Sequence, residues 1–218
     1  MSRRFDLIVF DWDGTIVDST AMIALCIQKA AADLSLTVPT LEQASHVIGL
    51  GLHDALARAV PELTAARIEE FSARYRHHWF ACEPEIVLFE GVREFLVDLS
   101  GQGVPLAVAT GKSRRGLARA FESTGLGAFF QSSRCADETH PKPHPAMLLE
   151  LAEEIAVPVG RTVMIGDTTH DLEMAAAAGA AAIGVTYGAH PRHQLAARAP
   201  LALVGNVAEL RDWFDGNG

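Results

Sequence analysis

Four short, mainly apolar runs punctuate the chain: Leu7 to Phe10, Leu106 to Ala109, Thr162 to Ile165 and Ala181 to Val185. Runs of this length, bounded by turn or helix signals, are the pattern of strands buried on both faces of a parallel sheet. A weaker fifth strand is predicted around Phe130 to Arg134. Between the runs, apolar residues recur at helical spacing over Val92 to Leu99, Ser113 to Ser123, Pro145 to Ile155 and Thr169 to Ala178. Gly125 and Gly179 stand where helices commonly end on a left-handed residue. This alternation predicts an α/β fold built on a doubly wound parallel sheet.

One stretch breaks the alternation. From Thr20 to Cys82 no strand pattern is found, whereas Met22, Ile23, Cys26, Ile27 and Ala30, and later Ile68, Phe71, Tyr75 and Trp79, repeat at helical spacing. The segment reads as an all-α insertion after the first strand. Asp18 and Ser19 on one side and Glu83, Pro84 and Glu85 on the other are polar or helix-breaking residues suited to hinges. The predicted division is a core of residues 1–17 and 84–218 and a helical unit of residues 18–83. There are no repeats, and the tail from Asp215 to Gly218 is expected to fray.

Composition narrows the function. With 218 residues, 49% of them hydrophobic and 21% charged, the chain can bury a full core. A formal net charge of −9 argues against a nucleic-acid surface, which rewards clustered Lys and Arg. Cys26, Cys82 and Cys135 lack metal-knuckle or disulfide-framework spacing and read as reduced thiols. Arg3 and Arg4 precede too short an apolar run for a signal peptide, and the run from Met174 to Val185, mostly alanine, is too short to span a membrane. The expectation is a soluble, cytoplasmic protein with no membrane partner. Nothing in the sequence sets an oligomeric state.

The polar residues that follow the strands carry the chemistry. The first strand runs into Asp11-Trp12-Asp13-Gly14-Thr15, so two carboxylates lie just beyond its C-terminal end, where open α/β sheets bind ligands. By itself an Asp-Gly pair after a strand is also an ordinary turn. The second strand ends at Thr110-Gly111-Lys112-Ser113, where a hydroxyl and backbone N–H groups at a helix start suit phosphate oxygens, or where Ser113 simply caps the helix. It is not a nucleotide P-loop, because Leu106 stands where that motif needs glycine. Lys142, one of three lysines, sits in Pro141-Lys142-Pro143-His144-Pro145, a stiff frame for an anchored cation. A third acidic element, Gly166-Asp167-Thr168-Thr169-His170-Asp171, follows the strand ending at Ile165; in it Thr168 and Asp171 also fit a capping box.

Taken in order, DxDGT after strand one, Thr after strand two, Lys before a later helix and GDxxxD after the next strand resemble the four motifs of the haloacid dehalogenase superfamily. The resemblance spans the chain, and the helical insertion resembles that superfamily's first-type cap domain on a Rossmann-like core. It implies a Mg²⁺-dependent phosphomonoester hydrolase in which Asp11 is the nucleophile and forms an aspartyl phosphate. Asp13 would be the general acid and base, carrying a proton before the leaving group departs. The implied metal ligands are the Asp11 carboxylate, the Asp13 carbonyl and the Asp167 carboxylate, with Asp171 in support. Thr110, Gly111 and Lys142 would bind the phosphoryl group, and Thr15 would orient Asp13. Asp18, Ser19, Gly51 and His53 are the candidate substrate contacts of the cap, although helix capping and turn formation explain them as well.

Asp13 favours phosphate esters over carbon–halogen bonds, because relatives that displace halide lack an aspartate at this position. Lys29, the single lysine of the insertion, matches no Schiff-base lysine of phosphonate-cleaving relatives, and Leu52 stands where similar phosphomutases carry arginine. Thr110-x-Lys112 looks most like phosphoglycolate phosphatases, with Gly111 replacing the asparagine common there. The implied substrate is a small phosphorylated metabolite such as 2-phosphoglycolate. Pyrophosphate or sugar-phosphate chemistry, including a phosphomutase, is the alternative within the superfamily. A receiver-like signalling domain is disfavoured by motif order, and a catalytically dead binding module by the intact motifs. His77 and His78 point in different directions from a helix and read as packing; His170 is expected to be exposed, and His190 and His193 receive no role. Arg114, Arg115 and Arg119 read as a solvated helix face.

Overall fold

A computed structural model describes residues 4–217; Met1 to Arg3 and Gly218 lie outside the described residues, so what was read from Arg3 is not addressed. The chain enters β1 (Leu7–Phe10), turns back through a two-residue strand β2 (Val17–Asp18) and then runs through four helices. These are α1 (Thr20–Asp33), α2 (Leu41–His46), α3 (Leu52–Ala59) and α4 (Ile68–Cys82). The chain returns through β3 (Val87–Leu88), which pairs antiparallel with β2. The remainder alternates: α5 (Val92–Gly101), β4 (Leu106–Thr110), α6 (Arg114–Thr124), β5 (Ser132–Cys135), α7 (Ala146–Glu154), β6 (Thr162–Gly166), α8 (Thr169–Ala178) and β7 (Ala181–Val185). Then come α9 (Arg192–Ala196), β8 (Ala202–Val204) and α10 (Val207–Asn217).

Six strands form one parallel sheet in the order β5-β4-β1-β6-β7-β8. Side chains of β1 alternate between the two faces, as the period of a strand demands. Ile8 and Phe10 join a cluster with Phe95 of α5 and Phe214 of α10, whereas Leu7 and Val9 join Met147 and Leu151 of α7 and Met174 of α8. Both faces are therefore covered, and β1, β4 and β6 are buried throughout. Successive crossovers leave β1 in opposite directions, toward β4 and β5 on one side and β6 to β8 on the other. The crevice beyond the C-terminal end of β1 is thus a topological switch point.

The insertion has its own apolar cluster, in which Ile27 and Ala30 of α1, Leu56 of α3 and Phe71 of α4 are fully buried. A capping box between Thr40 and Gln43 starts α2. Gly125 and Gly179 end α6 and α8 in the left-handed conformation, as their positions predict. The tail differs from expectation. Val207, Leu210 and Phe214 recur at i, i+3 and i+7 and are buried, so α10 continues through Asn217 instead of fraying from Asp215. The edge strand β8 was also not foreseen, because three residues with one buried side chain carry little periodicity. Among the described residues no helix is long and apolar enough to cross a membrane.

Candidate active site

Strand register brings the acidic groups together. Phe10 pairs with Ile165 of β6 and with Val108 of β4, so the residues that follow these strands emerge side by side. The Asp11 N–H donates to the Ile165 carbonyl at 2.9 Å, carrying the pairing one residue past the strand. The chain then turns sharply: the Trp12 carbonyl accepts from Ile16 N–H at 2.9 Å and Val17 N–H at 3.1 Å. Gly14 sits in this turn with φ +80°, and a Cβ on it would overlap the Asp167 carboxylate, so no other residue fits.

Asp11, Asp167 and Asp171 are buried, and one carboxylate oxygen from each lies within 4.8 Å of the others. Lys142, 2% exposed, reaches in from the proline-framed loop, its Nζ 2.8 Å from Asp11 Oδ1 and 2.6 Å from Asp171 Oδ1. Neither approach is well directed for a hydrogen bond, but between opposite full charges at this separation the Coulomb attraction dominates. Asp11 Oδ2 is buried with no hydrogen-bond partner among the described residues. Burial pushes the Asp11 carboxyl up to about 7 against the pull of Lys142, with Asp171 adding to the rise. Burial, together with the Asp11 and Asp171 charges, likewise holds Asp167 well above the usual carboxylate range. Burial works against the Lys142 ammonium, but the two carboxylates outweigh it and raise its pKa.

Asp167 is tied from two sides, accepting from Ala189 N–H at 2.7 Å and from the Thr15 hydroxyl at 3.0 Å. Thr15 therefore orients Asp167 and not Asp13. The turn points its hydroxyl across to β6, and Asp13 is held by other groups: Ser19 donates to Oδ1 at 2.7 Å and Lys112 Nζ lies 2.9 Å from Oδ2. Asp171 forms the capping box with Thr168 that its spacing allows, and also meets Lys142, so it serves helix and site together. Ser113 caps α6, accepting from Gly116 N–H at 3.2 Å. Thr110 ends β4 buried beside the site.

The insertion closes over this rim along two seams. At Gly111, a Cβ would overlap the Leu50 carbonyl oxygen and lie 2.6 Å from that of Gly49. On the far side, His170 and His190 each place Nε2 3.1 Å from the His46 carbonyl at the end of α2. His190 Nδ1 accepts from Thr169 N–H at 3.0 Å, so its proton is on Nε2 and it donates to His46. Burial lowers the His190 imidazole to about 4, and lowers His170 too. His170 is thus buried, contrary to expectation, because α2 covers it. The arginines are solvated as expected, Arg115 and Arg119 being exposed and Arg114 partly so, and two of them also pair: Arg114 with Glu138 at 2.6 Å, and Arg119 with Glu83 while lying over the Phe80 ring. Lys112 lies 4.6 Å from the Trp79 ring centre. From sequence Lys112 enters only through the Thr110-x-Lys112 pattern, with no contact assigned to its side chain, although the scarcity of lysine that singles out Lys142 applies equally to it.

Of the four cap candidates, Gly51 and His53 line the cavity between insertion and core, with His53 exposed 3.0 Å from Glu69. Ser19 faces Asp13, and Asp18 is exposed on β2 away from the cavity lining.

The profile of the family described as Haloacid dehalogenase-like hydrolase matches residues 8–185. The chain belongs to that family. Among haloacid dehalogenase-like relatives, "Probable phosphatase IndB" of Dickeya dadantii is 39% identical over 94% of this chain and 91% of its own length. The phosphoglycolate phosphatase of Pseudomonas savastanoi pv. phaseolicola is 30% identical over 94% of this chain and 78% of its own. A crystal structure described as a predicted phosphoglycolate phosphatase from Haemophilus somnus 129PT superposes with TM-score 0.86 at 28% identity, covering 97% of this chain and 99% of that one. A hydrolase from Pseudomonas syringae shares the fold at TM-score 0.88 and 20% identity over 97% of this chain and 98% of that one.

Proposed function

We propose that this chain is a Mg²⁺-dependent phosphatase that hydrolyses phosphate monoesters of small metabolites in two steps through Asp11. The observation that carries this is the buried cluster of Asp11, Asp167 and Asp171 with Lys142 in ion-pair contact. Ionised carboxylates about 4 Å apart repel on the order of 4 kcal/mol per pair at an effective dielectric constant of about 20, and a single lysine does not offset all three. The unpartnered Asp11 Oδ2 and the all-oxygen donor set fit a small, hard divalent cation. The Asp11 and Asp167 carboxylates and the Asp13 carbonyl would hold it, with Asp171 beside them. Bound there, Mg²⁺ would neutralise carboxylate and phosphoryl charge.

Asp11 attacks phosphorus as the P–O bond to the leaving group breaks, and Asp13 delivers its proton to the departing oxygen. The carboxylate of Asp13 then takes a proton from water, which displaces Asp11 from phosphorus and releases phosphate. Ser19 and Lys112 hold Asp13 in place for both proton transfers. Lys142, Thr110 and the Gly111 N–H offset charge on the phosphoryl oxygens. Residues 18–83 act as a cap that excludes water and meets the leaving group, moving about the β2–β3 hinge as a unit separate from residues 1–17 and 84–218. The names of the Pseudomonas and Haemophilus relatives make 2-phosphoglycolate the reference ester. A phosphate-release screen over 2-phosphoglycolate, pyrophosphate, hexose phosphates and p-nitrophenyl phosphate, with Mg²⁺ and with EDTA, tests the reading. Release that EDTA leaves unchanged, or none at all, would overturn it.

A further inference from the structure

Beyond Asp13 the site opens into a cavity of about 690 Å³ between the insertion and the core. Pockets of about 300–1,000 Å³ bury drug-sized ligands, so a two-carbon acid would leave most of this one to water. The wall is largely apolar and aromatic, with Ile23 and Ile27 of α1 and Tyr75, Trp79 and Phe80 of α4. Tyr75 and Trp79 lie nearly parallel, 6.3 Å between ring centres, with Lys112 Nζ 4.6 Å from the Trp79 ring centre.

The polar groups of the wall discriminate further. Gly49 and Leu50 line the cavity, and their carbonyl oxygens crowd the side-chain position of Gly111. Among the described residues neither carbonyl accepts a backbone hydrogen bond. Carbonyl acceptors in a wall reward hydroxyl or N–H donors and repel a carboxylate. Of the cations of the wall, Lys112 is engaged by Asp13 and Arg119 by Glu83, while Arg76 and Arg115 are exposed, hydrated side chains.

Resting on the phosphatase reading, we infer that the preferred leaving group is an uncharged, hydroxyl-bearing body with a flat ring, as in a nucleoside monophosphate, and not a short carboxylic acid. The hydroxyls meet the Gly49 and Leu50 carbonyls and the ring lies against the aromatic wall of α4.

The test compares kcat/KM for uridine 5′-monophosphate, adenosine 5′-monophosphate, 2-phosphoglycolate and p-nitrophenyl phosphate on the full chain with Mg²⁺. At least one nucleotide is expected to exceed 2-phosphoglycolate by about tenfold or more, the discrimination that unmatched polar groups impose. Ile23→Trp, which fills the cavity, should lower the ratio of nucleotide to 2-phosphoglycolate kcat/KM about tenfold. Quenching of tryptophan fluorescence by uridine or adenosine, lost in Trp79→Phe, reads the cavity independently of turnover and remains informative should Ile23→Trp misfold. Equal or better use of 2-phosphoglycolate, or the absence of quenching, would overturn the inference while leaving the phosphatase reading intact. Nucleoside quenching without hydrolysis of any ester would do the reverse.

Discussion

The rim of the sheet and the face of the insertion that covers it are built on opposite principles. The charged groups of the rim come from strand ends, a proline-framed loop and the first turn of α8, are buried except for the partly exposed Lys112, and meet their partners at 2.6 to 3.0 Å. The insertion instead contributes mainly apolar and aromatic side chains and the Gly49 and Leu50 carbonyls, and touches the rim through backbone at Gly111, through Ser19 on Asp13 and where the two imidazoles reach His46. The register of three parallel strands thereby fixes the rim, whereas on the proposed reading the leaving group meets helices that pack on a cluster of their own. With the two faces packed on separate clusters, the four motifs say little about the ester.

Breaking the rim has the largest expected effects. Asp11→Asn should lower kcat by at least about a thousandfold, since the nucleophile has no substitute. Burst-phase quench measurements should also lose any covalent phosphoenzyme. Asp13→Asn should cost about 10²- to 10⁴-fold, the usual scale of general acid–base catalysis, and should cost less for p-nitrophenyl phosphate, whose leaving group needs no proton. An equal loss for both esters in kcat/KM, which reports the steps up to departure of the leaving group, would remove Asp13 from the acid role. Lys142→Met leaves Asp11 and Asp171 buried without their counter-charge and should destabilise the metal-free protein by roughly 3–5 kcal/mol, read by urea unfolding in EDTA.

The same contrast explains what could be read from the chain alone. Strands β1, β4, β6 and β7 were legible because each is a run of apolar residues, and the four motifs because each follows such a run or lies before the helix its prolines introduce. The edge was not: β8 buries one side chain, and Asp215 to Asn217 look like a polar tail until Phe214 is seen to anchor their helix. At the site, the resemblance implies that Thr15 orients Asp13, yet a turn of this tightness sends its hydroxyl to Asp167, 152 residues away. His170 and His190 gave no periodic signal at all, because what buries them is a carbonyl on α2, a long-range contact that no local pattern encodes.

Gly111 is where the two regions meet most closely, and Gly111→Ala tests whether their fit is functional. The added Cβ would overlap the Leu50 carbonyl oxygen, so the loop from Gly49 to Gly51 must move off the rim. An expected loss of about 10- to 100-fold in kcat/KM, with melting temperature nearly unchanged, would follow from misplacement by a fraction of an ångström. Unchanged kinetics would show that the loop does not close on the substrate.

The smallest effect is the most diagnostic, because the two regions respond to pH with opposite sign. Asp11 titrates near 7 when folded but in the ordinary carboxylate range when unfolded. Between those values the folded state binds more protons, so this group makes metal-free stability fall as pH rises. His190 titrates near 4 when folded and near the ordinary imidazole value of about 6.5 when unfolded. Across that window the unfolded state binds more protons, so the seam gains stability as pH rises and loses it on acidification. Urea midpoints in EDTA from pH 4.5 to 6.5 should therefore slope more steeply upward in Asp11→Asn than in wild type. They should slope less steeply upward, or downward, in His190→Gln, with a further loss of about 1–3 kcal/mol from the stranded Thr169 N–H wherever glutamine fails to replace the imidazole acceptor. Parallel slopes in all three proteins would mean that neither the buried carboxylate nor the imidazole seam is perturbed as the packing around them requires.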